Sequence, residues 1–139
     1  MDIFKKKKRR FPKDFKKVVK YMKDKRGISV SLGESTEFLG QYTRTIIIHH
    51  NYDLRNNGLH VLLYECGKTF QPTTNIGINS YKDIDKEKYP DEYKVGTILS
   101  DVDAWKNGMD LAKKLHLQIN KKKFKSSMNT VLIHNYKKN

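Results

Sequence analysis

The chain has 139 residues, a net charge of +14 and one cysteine, Cys66. That length fits one domain. A single cysteine excludes an internal disulfide and a cysteine-only metal cluster. No apolar run approaches the roughly 18 residues of a membrane span. We therefore expect a cytoplasmic protein in a reducing compartment, without a membrane partner.

The positive charge is concentrated at the two ends of the chain. Residues 1–26 hold thirteen Lys or Arg and three Asp, and residues 113–139 hold eight Lys and no acid, whereas residues 27–112 hold eight basic and twelve acidic side chains. Charge segregated in this way produces a directional field that attracts polyanions. Because 24 of the 29 basic residues are Lys, backbone attraction is favoured over base readout, for which arginine is better suited.

The first part of the chain predicts a basic arm followed by a helix and a strand. Residues 1–10 contain six consecutive cations, which repel one another and predict a flexible basic arm. Residues 12–25 repeat apolar side chains every three or four positions, as a helix with one buried face does, and Gly27 ends it. Residues 28–32 alternate apolar and polar, which predicts a half-buried strand.

Residues 45–65 predict a β-hairpin. Two apolar runs flank the turn-forming residues Asn56, Asn57 and Gly58, and such residues tolerate the backbone angles of a tight turn. With the turn centred on Asn56–Asn57, one face of the hairpin is apolar and points to the core.

The same register predicts positions for three histidines. His49 faces Tyr64 and His60 faces Asp53 on the polar side of the hairpin, because side chains alternate along a strand. His50 falls on the core side at the end of the first strand. A slip of one residue would exchange these assignments.

The second half of the chain predicts further strands around one long helix. We expect strands at 75–79, 95–99 and 129–136, a helix at 101–118 and a basic loop at 120–127. Strands grouped between helices indicate an α+β fold. The prediction is a single domain of residues 11–139, with an antiparallel sheet of four to five strands covered on one face by an N-terminal helix and a helix of the C-terminal half.

Nucleic acid, DNA or RNA, is the partner that this charge distribution favours. Lysines neutralise phosphates and release counterions, and neighbouring aromatic side chains, among them Phe124, can stack on unpaired bases. The basic arm, the first helix and the basic loop supply the predicted nucleic-acid-binding residues: Lys5, Lys6, Lys7, Lys8, Arg9, Arg10, Lys13, Lys16, Lys17, Lys20, Lys121, Lys122, Lys123 and Lys125.

Two alternatives stay open. The acidic middle of the chain could bind a protein, which would make this a phage or mobile-element protein that inhibits or adapts a larger nucleoprotein complex, such as a nucleic-acid-guided defence nuclease. The other alternative is a ribonuclease in which His49 and His60, with Tyr64 beside them, serve as acid and base. We assign no catalytic residue, no cofactor and no metal, since neither HExxH nor CxxC is present.

Overall fold

A computed structural model describes residues 11–39, 43–70 and 85–137 of the chain. The described helices and strands are α1 (Lys13–Arg26), β1 (Ser29–Gly33), β2 (Glu37–Leu39), β3 (Thr45–His49), α2 (Asn57–Thr69), α3 (Pro90–Lys114) and α4 (Lys121–Lys137).

Helix α1 confirms the helix predicted at 12–25. Its apolar stripe is buried through Phe15, Val18 and Met22, while the lysines between them lie at the surface. Gly27 ends the helix with a φ of 65°, a left-handed conformation that only glycine adopts without strain. The chain then enters β1, close to the strand predicted at 28–32.

The sheet differs from the predicted one in size and direction. The described residues form three strands in the order β1-β3-β2, with β1 parallel and β2 antiparallel to β3. The expectation of four to five antiparallel strands was wrong, although the chain does combine helices with a sheet in an α+β arrangement. Residues 95–99 and 129–136 are helical instead, and residues 75–79 lie outside the described part of the chain.

The predicted hairpin was wrong in its second arm, which is helix α2. Its first arm is β3, but the turn-forming residues begin a helix. The carbonyl oxygen of Asp53 accepts hydrogen bonds from the amides of Asn56 (3.1 Å) and Gly58 (2.8 Å), and its carboxylate accepts one from the amide of Arg55 (3.0 Å). Residues 58–67 are all buried, so they show no polar face, and a short apolar run does not by itself distinguish a buried strand from a buried helix.

Helices α2 and α3 pack with their backbones in close approach at two glycines. A Cβ at Gly67 would overlap the carbonyl group of Ala104, and one at Gly108 would lie 2.5 Å from the carbonyl oxygen of Leu63. Such an approach is open only to residues without a side chain.

Helix α3 is longer at its start than predicted. Pro90 occupies its first turn, where the missing N–H has no cost, and Asp91 and Glu92 follow, as suits the positive end of a helix dipole. The helix therefore includes residues 95–99, and it ends at Lys114 rather than at 118. Trp105 of this helix is 1% exposed and belongs to the core.

Helix α4 replaces both the basic loop predicted at 120–127 and the strand predicted at 129–136. Asn120 starts it, since its side-chain oxygen accepts a hydrogen bond from the amide of Lys123 (3.0 Å), as an N-cap residue does. Phe124, Met128 and Val131 then pack on the core. Their spacing of four and three residues is helical, and lysine is itself a good helix former.

In the described residues, no helix combines the length and the apolar character that a membrane crossing requires. The arm at residues 1–10, with Lys5 to Arg10, lies outside those residues and stays a prediction.

Candidate functional site

The two basic ends of the chain meet in the fold. The amide of Gln118 donates a hydrogen bond to the Asp14 carboxylate (3.2 Å), which joins the start of α1 to the connection between α3 and α4. Lys114 donates one to the hydroxyl of Tyr21 (3.0 Å), and its ammonium lies 5.2 Å from the centre of that ring. Residues that are about a hundred positions apart thus share one surface.

A surface cavity of about 360 Å³ opens where these segments meet. We call it the basic cleft; it is lined by Pro12, Lys13, Asp14, Lys17, Leu54, Arg55, Leu59, His116 and Gln118. Three of these side chains, from α1 and from the turn before α2, are permanently cationic. The single acid, Asp14, already accepts a hydrogen bond from Gln118. The cleft therefore has the charge and the size to accept a phosphate group.

The other predicted lysines within the described residues lie on helices α1 and α4. Lys16 and Lys20 lie exposed on α1, and Lys121, Lys122 and Lys125 lie exposed in the first turns of α4. The remaining one, Lys123, lines a second cavity beside His60. Phe124 is 6% exposed and packs against His60 and Trp105, so the expectation that it stacks on bases was wrong.

A groove runs between α2 and α4. It consists of two adjoining cavities of about 450 and 460 Å³, and the residues common to both are Tyr52, Val61, Thr130 and Val131. The first cavity is also lined by Lys123, His60 and Ser127, and the second by Glu65, Lys68 and His134.

His60 lies in the wall of the groove rather than opposite Asp53 on a polar sheet face. It is 5% exposed, and its Nδ1 lies 2.8 Å from the hydroxyl oxygen of Ser127. Burial lowers the pKa of His60, and the nearby Lys123 ammonium lowers it further. The neutral imidazole is therefore favoured, and its Nδ1 shares one hydrogen bond with the serine hydroxyl.

Tyr64 does not face His49, as the hairpin register predicted. Its hydroxyl donates a hydrogen bond to Asp101 of α3 (2.9 Å), its ring stacks on Trp105 (4.6 Å between centroids), and the Lys68 ammonium lies 4.7 Å from its centre. His49, His60 and Tyr64, the candidates for catalysis, thus have three different sets of partners.

Glu65 is a buried carboxyl group in the wall of the same groove. It is 3% exposed, its Oε2 lies 3.2 Å from Lys68 Nζ, and its Oε1 has no hydrogen-bond partner within the described residues. Burial raises its pKa, with smaller contributions from Asp101 and Glu37, and Lys68 opposes the rise.

The sequence Tyr64-Glu65-Cys66-Gly67-Lys68 has the spacing of an H-E-x-x-H helix, with tyrosine and lysine at the two histidine positions. The tyrosine hydroxyl is bonded to Asp101 and the lysine to Glu65. This segment of α2 therefore offers no imidazole pair to a metal.

Imidazoles are gathered instead at one end of the sheet. Glu34, His49 and His50 each place a potential ligand atom within 4.8 Å of the other two. His50 lies at the surface with its side chain 45% exposed, which corrects the prediction that it faces the core. These three residues are the described group that could hold a metal ion.

Comparisons with family models, curated proteins and solved structures gave no match.

Sequence reasoning missed three features of these sites. Glu34 is paired with His50, and only the parallel alignment of β1 with β3 brings these two residues together. The pairing of His60 with Ser127 depends on α4 being a helix. Arg55 was placed on the hairpin, and the turn before α2 places it in the basic cleft.

Proposed function

We propose that the protein binds nucleic acid mainly through its phosphates, with the basic cleft as the central contact. The single observation that carries this proposal is the convergence of Lys13, Lys17 and Arg55 from two separate segments on one cavity. Cations around a concave surface reinforce one another, because their fields overlap where water is partly excluded.

The surroundings of the cleft extend the positive surface in two directions. Lys16 and Lys20 continue along α1, and Lys121 and Lys122 follow the connection that Gln118 ties to α1. A nucleic-acid backbone presents charges at regular intervals, so a strip of this kind can contact several phosphates at once. The arm at residues 1–10 adds six further cations to the end that leads into α1.

The mode of contact is electrostatic rather than sequence-specific. Of the five arginines, Arg55 lies in the cleft, whereas Arg26 donates to the carbonyl oxygen of Thr69 (2.9 Å) and Arg44 to that of Arg26 (3.0 Å). Two arginines are thus engaged in holding the fold. Lysines attract phosphates without the bidentate geometry that reads guanine.

The test is a salt titration of binding, measured by fluorescence anisotropy with labelled single- and double-stranded DNA and RNA. The key variant changes Lys13, Lys17 and Arg55 to Gln, and the matched control changes Lys88, Lys94 and Lys106, which are exposed and lie elsewhere. Both variants lose three positive charges. We expect the cleft variant to bind duplex DNA at least about tenfold more weakly at low salt and to reduce the slope of log K against log salt by about 2 to 3.

The control should change both quantities by much less. Binding that is flat between 50 and 300 mM salt would refute the phosphate mode. Equal losses in the two variants would refute the cleft as the site, because net charge alone would then account for binding. Capture of one protein that survives nuclease treatment, without binding to naked nucleic acid, would favour the alternative of an interaction protein.

A further inference from the structure

The parallel pairing of β1 with β3 brings an acid and two histidines to one edge of the sheet. Gly33 is the register partner of His49, and the amide of His50 donates to the carbonyl oxygen of Gly33 (2.9 Å). Glu34 follows directly, so the three side chains leave the carboxyl ends of two adjacent parallel strands.

The three side chains are already close to a ligating arrangement. One donor atom from each lies within 4.8 Å of the others, and His50 Nε2 is 3.2 Å from a Glu34 oxygen. The imidazole rings of His49 and His50 are stacked, with centroids 4.8 Å apart and planes 22° apart. Donors that share one ion at about 2 Å lie no more than about 4 Å apart, so the exposed side chains of Glu34 and His50 have to turn slightly toward the ion.

The backbone around the cluster is held in place. The amide of His49 donates to the hydroxyl oxygen of Thr36 (3.1 Å), which fixes the strand end against the loop that carries Glu34. The amide of Asn51 donates to His49 Nδ1 (3.1 Å). The first contact holds the strand end in place, and the second orients the imidazole ring of His49 before an ion binds.

We propose that Glu34, His49 and His50 form a binding site for one divalent transition-metal ion, with zinc the best match to this donor set. Two imidazoles and a carboxylate suit zinc better than magnesium or calcium, which prefer oxygen ligands. Three protein ligands leave a fourth position of the tetrahedron to water, as in catalytic zinc sites. The ion takes the place of the direct contact between His50 and Glu34.

Metal binding through His49 Nε2 changes one existing contact. The neutral ring must then carry its proton on Nδ1, so the amide of Asn51 exchanges its bond to the ring for a bond to water. Asn51 is exposed, so water can reach this amide. Metal binding therefore exchanges this hydrogen bond and the contact between His50 and Glu34 for bonds to water and to the ion, while Thr36 still holds the strand end.

The test is calorimetric titration of the full chain, free of any affinity tag, with zinc alone and then with cobalt as a spectroscopic probe. The variants are His50→Ala and Glu34→Gln, and the matched control is His116→Ala, which removes an exposed histidine from the basic cleft. We expect one zinc per chain for the unmodified protein and for the control. Each site variant should bind at least about tenfold more weakly, and cobalt should show the intense visible bands of tetrahedral coordination.

Three results would overturn the site: no saturable binding to the unmodified chain, equal affinity in the two site variants and the parent, or loss of binding in His116→Ala. Far-UV circular dichroism without metal checks that each variant is folded. Glu34 is 90% exposed at its side chain, so Glu34→Gln decides the question if His50→Ala proves unstable. None of these outcomes depends on nucleic-acid binding.

Discussion

Replacing Glu65 by Gln should stabilise the protein near neutral pH. The carboxylate is 3% exposed, its Oε1 has no partner in the described part of the chain, and its one ion pair is to Lys68, whose side chain is 39% exposed. The loss of hydration at Glu65 is therefore nearly complete, whereas the pair that offsets it is partly screened by water. The effect of burial is therefore larger than that of the ion pair with Lys68, and it raises the pKa of Glu65.

The expected gain in the free energy of unfolding arises because the substitution removes a buried charge and does not leave another charge buried. In Glu65→Gln the amide keeps the shape of the side chain, and Lys68 can turn toward solvent. Replacing both partners of a buried ion pair by apolar residues of similar volume is neutral or stabilises a protein by about 1–4 kcal/mol, and here the partner that remains can return to solvent. We expect the lower half of that range, about 1–2 kcal/mol, which corresponds to a rise in Tm of about 3–8 °C for a chain of this size.

The pH dependence gives the sharper assay. Because the folded state holds the Glu65 proton more tightly, the unfolded chain releases it first, near its ordinary value of 4.5. The free energy of unfolding of the parent therefore falls as the pH rises from about 4.5 through the raised pKa of Glu65 in the folded state. Above that pKa, the ionisation of Glu65 lowers the free energy of unfolding no further. Urea denaturation of parent and Glu65→Gln at several pH values between 4 and 8 should show a difference that is near zero in acid and grows with pH.

Lys68→Gln is the control of opposite sign, because it leaves the buried carboxylate without its partner and should destabilise the chain increasingly as the pH rises. If Glu65→Gln were instead less stable than the parent, by an amount that grows as the pH rises, the ion pair would outweigh the loss of hydration and the reasoning above would be wrong.

Two further predictions concern the packing of α2. Gly108→Ala should lower the free energy of unfolding by about 1–3 kcal/mol, because its Cβ would lie 2.5 Å from the carbonyl oxygen of Leu63, and this outweighs the better helix propensity of alanine. Thermal denaturation measures the effect, with Lys106→Ala, an exposed site on the same helix, as the control. An unchanged Tm would mean that the helices separate freely. Cys66 is fully buried, and burial raises the pKa of its thiol. Ellman's reagent should therefore label this thiol only in denaturant. Rapid labelling of the native chain would contradict the burial of Cys66.

The sequence was most informative where an element has one buried face. Helix α1 was predicted to within a residue at each end, because its stripe of Phe15, Val18 and Met22 is bounded by Pro12 and Gly27. Strand β1 was also close, since its alternation is that of a half-buried strand. In these elements the periodicity of the apolar residues carries the information directly.

Prediction failed where burial removes the periodicity. Helix α2 is buried on all sides over residues 58–67, so its sequence resembles a continuous apolar strand, and the asparagines before it suggested a hairpin turn. Once α2 was taken for a strand, α4 was fitted to the same sheet, although Phe124, Met128 and Val131 have helical spacing. The candidate sites were predicted less well than the fold, because each one joins residues distant in sequence, such as Glu34 with His50 or Lys17 with Arg55.

The turn at residues 50–56 belongs to every site described above. His50 is part of the proposed metal site, Tyr52 and Asn56 line the groove, and Arg55 lines the basic cleft. Any ligand that shifts this turn at one site must therefore alter the affinity of the other sites for their own ligands. Thermodynamic reciprocity requires each of two ligands to change the affinity for the other by the same factor. Zinc and nucleic acid, if both bind, would thus act as mutual effectors through seven residues of backbone.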